Sequence, residues 1–399
     1  MKKSKLGQFY TPEYISELMS ELVISSEAKE PLKIIDMTCG HGSLLKPLQA
    51  KLVNSYFHAY DIDSKNIEYL KQSQCTWDVR NEDSLLYEFE KEFYDISLGN
   101  PPFIKTKVTP QLADICERNY SGKILKIGTS IRAEIIFIAK YIEATKIGGR
   151  VSLILPESII SNEKMDFVRT YIFKNLRNIS IYEINEQYFD EAEVRTYLVS
   201  GEKTINPDLK IQIGTISKNG QVNKIKTVDK KHSVLRADVK YLSQIERFKA
   251  LKEKYTSLGE VIYSLDRGNK TKKQLEHDKT VFFHSSSFKE FETQDISLEG
   301  CEDLMQRYNA KHVAKKSDIL IPRIGRSCHQ HQALITYGNA VITDSVFRLN
   351  LPKKIAPIVF ESLQTEDSKS WRDIHSKGSC TKLLTNSDIL NLPIIGLNR

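Results

Sequence analysis

Ile34-Ile35-Asp36-Met37-Thr38-Cys39-Gly40-His41-Gly42-Ser43 runs from an apolar stretch through an acid into a Gly-x-Gly turn. So short an apolar run, closed by glycine, reads as a buried strand, and the glycines let backbone pass close to a ligand. Working outward, strands are expected at Leu32–Asp36, Tyr56–Ile62, Trp77–Asn81, Tyr94–Leu98, Val151–Leu155, Ile179–Ile184 and Val194–Ser200. Helical patterning falls between them at Ser43–Val53, Ser64–Gln72 and Ala133–Thr145, the last stopped by Gly148-Gly149. Pro47 must sit in the first turn of its helix or break it. Strands alternating with helices predict a largely parallel α/β sheet covered on both faces, with ligands at the carboxyl ends of the strands.

The chain has 399 residues, room for two to three domains of roughly 150 residues each. It is 40% hydrophobic and 27% charged, which excludes a disordered or fibrous protein. Its longest apolar runs, such as 151–155, fall well short of the roughly 20 residues of a membrane helix, so no membrane partner is expected. Gln8 and Pro12 interrupt the lysine-bearing start, so no signal-peptide core is read there. The cysteines at 39, 75, 116, 301, 328 and 380 form no C-x-x-C pair. That favours a reducing cytoplasm over a zinc site or a disulfide frame, and no metal is expected. Charge divides the chain: residues 1–230 carry 31 basic and 31 acidic residues, and residues 231–399 carry 27 and 20. A basic module following a neutral one points to an anionic partner, most simply nucleic acid. The texture changes over 203–235, read as a sheet edge and then a linker, so the domains are drawn at 1–230 and 231–399. The second has a helix near 240–255, short strands at 281–284, 318–324, 332–336 and 341–349, and a last helix near 354–363.

Two further acids follow strands. Asp61, beside Ile62, ends the second strand about 20 residues after the glycine turn, where a carboxylate can accept both ribose hydroxyls. Asp83 follows the third and suits an adenine amino group. Together with the turn they suit an adenosine ligand, without separating a nicotinamide cofactor from S-adenosylmethionine. Asn100-Pro101-Pro102-Phe103, after the fourth strand, makes that choice. Two prolines hold the backbone out of a ladder. The Asn100 side chain and the Pro101 carbonyl supply two acceptors, as an exocyclic NH2 requires. Phe103 can stack on the same planar base.

Gly7-Gln8-Phe9-Tyr10-Thr11-Pro12, Asp36-x-x-Cys39-Gly40-x-Gly42 and Asn100-Pro101-Pro102-Phe103, in this order, resemble the signatures of amino-methylating DNA methyltransferases of the gamma, adenine-N6 group. The resemblance covers about residues 5–200. It departs at Met37, which takes the place of the family's usual proline. It implies a Rossmann-like seven-stranded sheet followed by a smaller α+β DNA-recognition domain, S-adenosylmethionine as cofactor, and double-stranded DNA as substrate. By the same resemblance Tyr10, Thr11 and Pro12 would lie against the methionine end of the cofactor. Asp36, Cys39, Gly40 and Gly42 would line its centre, Asp61 and Ile62 its ribose, and Asp83 its adenine. Asn100 to Phe103 would hold the target base, with Phe189 as a second stacking aromatic and Tyr188 in reserve.

The phrases 317–325, 342–349 and 383–393 resemble recognition domains of type I restriction specificity subunits. Lys315, Lys316, Arg323 and Arg326 are expected at phosphates there. The basic segment 104–131, with Lys105, Lys107, Arg118, Lys123 and Lys126, is expected to close over DNA. No Pro-Cys pair offers the nucleophile of cytosine-C5 enzymes. Three rivals stay open: a cytosine-N4 DNA methyltransferase, a protein-glutamine or RNA methyltransferase, and a specificity subunit with an inactive catalytic domain. Any cleavage is expected from a separate restriction endonuclease.

Overall fold

Strand β1 (Lys33–Asp36) lies between β2 (Tyr56–Asp61) and β4 (Tyr94–Gly99), parallel to both, in the interior of a nine-stranded sheet. In the computed structural model, the described residues are 11–25, 29–73, 75–120, 126–184, 195–217, 219–289, 294–298, 304–377 and 381–399. They form two compact units, Met1–Ser243 and Gln244–Arg399.

In the first unit, β3 (Asp78–Asn81) pairs with β2 at one edge. A short hairpin of β5 (Lys105–Lys107) and β6 (Ser130–Arg132) stands apart. The large sheet continues through β7 (Thr145–Pro156), β8 (Leu176–Ile184), β9 (Thr196–Lys203), β10 (Lys210–Ile216) and β11 (Val222–Asp229). The order is β11-β10-β8-β9-β7-β4-β1-β2-β3. The sheet is parallel except for β9 and β11. Buried runs such as Ile34–Asp36, Ile96–Gly99 and the whole of β9 mark strands covered on both faces, as parallel sheets require.

The helices are α1 (Glu13–Val23), α2 (Leu45–Lys51), α3 (Ser64–Gln72), α4 (Pro110–Asn119), α5 (Ala133–Ala144), α6 (Glu157–Ser161) and α7 (Asp166–Asn175). Ile15, Met19 and Val23 of α1 join Leu45 and Leu48 of α2 in one core cluster with Ile34, Ile96 and Leu198 of the sheet. Pro47 does fall in the first turn of its helix, where a missing N–H costs no helical bond. α5 is buried at all but one of its twelve residues, the mark of a helix pressed between layers.

Four expectations change. Among the described residues the sheet has nine strands, because β10, read as the sheet's edge, is followed by a further strand, β11. Val222–Asp229, read as linker, is an edge strand, and its exposed Lys224 is the kind of charge that edge strands use against further pairing. For the segment 104–131 no helix or strand was expected. It holds the β5–β6 hairpin and α4, started by Pro110 and by Thr109, whose hydroxyl accepts from Leu112 N–H. Arg118 there pairs with Asp114 and Glu143, so that cation is already neutralised. The expected strand 341–349 is two strands, Asn339–Ile342 and Val346–Asn350. Thr343 and Ser345 break it by bonding His284 through their hydroxyls.

The second unit centres on a five-stranded sheet whose buried strands include Ile319–Pro322 and Val346–Asn350. A three-stranded sheet adjoins it in sequence, and Glu366–His375 and Asn386–Leu390 follow the helix Ala356–Gln364 that was expected to be the last. Among the described residues no helix is long and apolar enough to cross a membrane.

Candidate functional site

The carboxyl ends of four adjacent parallel strands supply the polar groups. β1 ends at Asp36, β2 at Asp61, β3 two residues before Asp83, and β4 one residue before Asn100. Because neighbouring strands run the same way, their terminal residues meet on one edge of the sheet. A cleft, partly open to solvent, lies there. Its wall takes Thr11, Asp36, Cys39, Gly40, Asp61, Ile62, Asp83, Asn100, Pro101 and Pro102 from the anticipated set.

The turns are braced to one another. Cys39 N–H donates to Tyr60 O (2.9 Å). Asp61 accepts from Gly40 N–H at Oδ2 and from Asp63 N–H at Oδ1, both at 2.8 Å. Gly40 and Gly42 have φ of 52° and 74°, the region glycine enters without strain. Asp36 Oδ1 accepts from Thr38 N–H (2.9 Å) and from the Tyr141 hydroxyl (3.2 Å), which in turn accepts from Met37 N–H (2.9 Å). Burial pushes the Asp36 carboxyl up to about 7, helped by the charge of Asp61 and opposed by the Thr38 and Tyr141 bonds. Gly99 makes room for that hydroxyl, since a Cβ there would lie 2.1 Å from it. Asn100 Nδ2 donates to Thr11 Oγ1 (3.3 Å), which turns the amide nitrogen toward Thr11.

Other anticipated residues are elsewhere. Gly42 is outside the cleft wall, and a Cβ on it would meet Trp77 at 2.5 Å, so its service is steric. Phe103 is partly buried against the core cluster of the sheet's α1 side. Pro12 caps α1. Tyr10, Tyr188 and Phe189 lie outside the described residues. Lys105 and Lys107 are exposed on β5, directly after Ile104, which lines the cleft. In the second unit Lys315 and Lys316 precede the strand Ile319–Pro322 and Arg323 and Arg326 follow it. Arg323 is partly buried, donates to Asp344 O (3.1 Å), and is lowered by burial and by the nearby charge of Arg267.

Sequence reasoning missed Asn66 and Ser84, both buried in the cleft wall. Asn66 Nδ2, Ser84 Oγ and Asp36 Oδ2 are buried atoms with no hydrogen-bond partner among the described residues. Such orphans are uncommon, and three sharing one cleft suit a ligand rich in donors and acceptors. No short motif marks Asn66 or Ser84. Only their position after the second and third strands could have suggested them.

The chain is 24% identical over 245 residues to the type II methyltransferase M.BsuBI of Bacillus subtilis, over 53% of this chain and 47% of that one. It is 27% identical over 174 residues to the type II methyltransferase M.HincII of Haemophilus influenzae, over 44% of this chain and 32% of that one. It thus spans less than half the length of these curated relatives. Its fold matches the type IIG restriction endonuclease BpuSI with a TM-score of 0.54 over 98% of this chain and 59% of that one, at 15% identity. The profile of the N-6 DNA methylases matches residues 1–257, nearly two thirds of the sequence and all of the cleft, and the chain belongs to that family.

Proposed function

We propose that this chain transfers a methyl group from S-adenosylmethionine to N6 of an adenine rotated out of duplex DNA. The observation that carries the reading is the shared wall: the glycine turn, the acids Asp36, Asp61 and Asp83, and Asn100-Pro101-Pro102 all face one cleft. The residues fit the cofactor. The orphaned Asp36 Oδ2 suits a cationic group, Asp61 and Asn66 suit a ribose, and Asp83 with Ser84 suits an adenine edge. S-adenosylmethionine supplies a methyl group already activated on a sulfonium.

The protein's part is then positioning and exclusion of water. Asn100 Oδ1 and the Pro101 carbonyl hold the two hydrogens of the target NH2, drawing its lone pair out of conjugation with the ring. Stacking on Phe103, joined by Phe189, offsets the few kcal/mol of unstacking. Lys105 and Lys107, and Lys315, Lys316, Arg323 and Arg326 in the second unit, take phosphates. That unit serves as the recognition domain, and any cleavage is assigned to a separate endonuclease.

The test is transfer of radiolabelled methyl groups to duplex DNA by the purified chain, followed by digestion to nucleosides. N6-methyl-2′-deoxyadenosine is the expected product. N4-methylcytosine would move the chemistry to the other amino-bearing base, and no labelled nucleoside at all would overturn the proposal.

A further inference from the structure

Lys140 of α5 has no part in the reading above. Its side chain is only 6% exposed. Its Nζ donates to three backbone carbonyls, Ser84 (2.7 Å), Leu85 (2.8 Å) and Tyr87 (2.7 Å). All three N–H bonds of the ammonium thus go to one turn between β3 and β4. The other side of that turn is held by Asp83, whose carboxylate accepts from Leu85 N–H (3.0 Å) and whose carbonyl accepts from Leu86 and Tyr87 N–H (2.9 and 2.8 Å). Asp83, Ser84 and Leu85 line the cleft, and Ser84 contributes one of the orphaned atoms. The next residue on α5, Tyr141, braces the turn after β1 through Asp36 and Met37. Two consecutive residues of one buried helix therefore hold two of the turns that line the site.

We propose that Lys140 is a positioning residue for the nucleoside half of the cofactor site, its ammonium holding the 83–87 turn in the shape that accepts adenine. The inference rests on the S-adenosylmethionine reading and assigns to it a residue that never touches the cofactor. It predicts a dependence of cofactor affinity, not of the transfer rate, on Lys140. Burial lowers the Lys140 ammonium to about 8, against the charges of Asp83, Glu143 and Glu88, and the Phe89 ring lies 5.5 Å away. A neutral amine has two N–H bonds, so deprotonation strands one of the three carbonyls. Affinity should therefore fall as pH rises through that value.

The experiment measures equilibrium binding of S-adenosylmethionine to the full chain and to Lys140→Met and Lys140→Arg, from about pH 6.5 to about pH 9.5. In Lys140→Met the Kd is expected to rise about tenfold, with kcat at saturating cofactor within about twofold of the parent. Lys140→Arg should regain most of the affinity and lose the alkaline weakening, because guanidinium stays charged. Thermal denaturation checks folding; if Lys140→Met does not fold, the arginine variant's pH profile decides. An unchanged Kd in a folded Lys140→Met overturns the proposal, as does an alkaline limb that persists in Lys140→Arg. Failure of the parent chain to bind S-adenosylmethionine at any pH would instead overturn the cofactor reading.

Discussion

On the side of the cleft proposed for the cofactor, Asp36 and Asp61 accept backbone N–H groups with their carboxylate oxygens, and Lys140 donates only to carbonyls. On the other side, Pro101 and Pro102 have no N–H, and the Asn100 amide nitrogen goes to Thr11. The first side is built by charges that stiffen turns. The second strips donors from its backbone and leaves carbonyl and amide acceptors. The proposed transfer, from a cofactor to a separate, flipped base, calls for this division. One partner is recognised by a preformed cradle, and the other by acceptors that suit one chemical group.

The largest expected effect tests whether the two sides act independently. Asn100→Ala should lower kcat for methyl transfer by at least about a hundredfold, with the Kd of S-adenosylmethionine nearly unchanged. Near-normal turnover would remove the amine-gripping role, and an equal loss of cofactor binding would merge the two sides. Gly42→Ala strikes the braced side. A positive φ and a Cβ placed 2.5 Å from Trp77 should cost about 1–3 kcal/mol of stability, read from denaturant unfolding, with little effect on the tetrapeptide. Phe103→Ala should slow turnover about tenfold through lost base stacking. A base analogue fluorescent when unstacked would report less flipping, and an unchanged rate would confine Phe103 to the core packing it shows here.

The smallest effect is in pH. The Asp36 carboxyl titrates near 7, so it is neutral below that value and charged above it. Affinity for a cationic cofactor should therefore rise as pH rises through about 7, and Asp36→Asn should flatten the curve. The ligand-free protein should respond oppositely. Between the ordinary carboxylate range and 7 the folded state holds a proton the unfolded chain has released, so stability falls as pH rises. With Lys140 acting above, cofactor affinity should peak between the two values.

The alternation of apolar strands with helices was legible because buried parallel strands are apolar on both faces. Ser64–Gln72 was read to its exact bounds. α4 was missed although Thr109-Pro110 is a proper helix start. The break at Thr343–Ser345 was missed because its cause, His284, is about sixty residues away in sequence. At the cleft, Asp36, Cys39, Gly40, Asn100, Pro101 and Pro102 stand in short motifs that the sequence displays, whereas Asn66, Ser84, Lys140 and Tyr141 belong to none.

The sequence alone determined which groups stand at the ends of β1 to β4, because strand, acid, glycine and proline signals are local and each is written within about ten residues. Only the tertiary structure decided which of those groups face the cleft and what holds them there. Tyr141 reaches Asp36 across 105 positions and Lys140 reaches Ser84 across 56. A buried polar atom is satisfied by whatever packing brings to it, and sequence spacing carries no record of that.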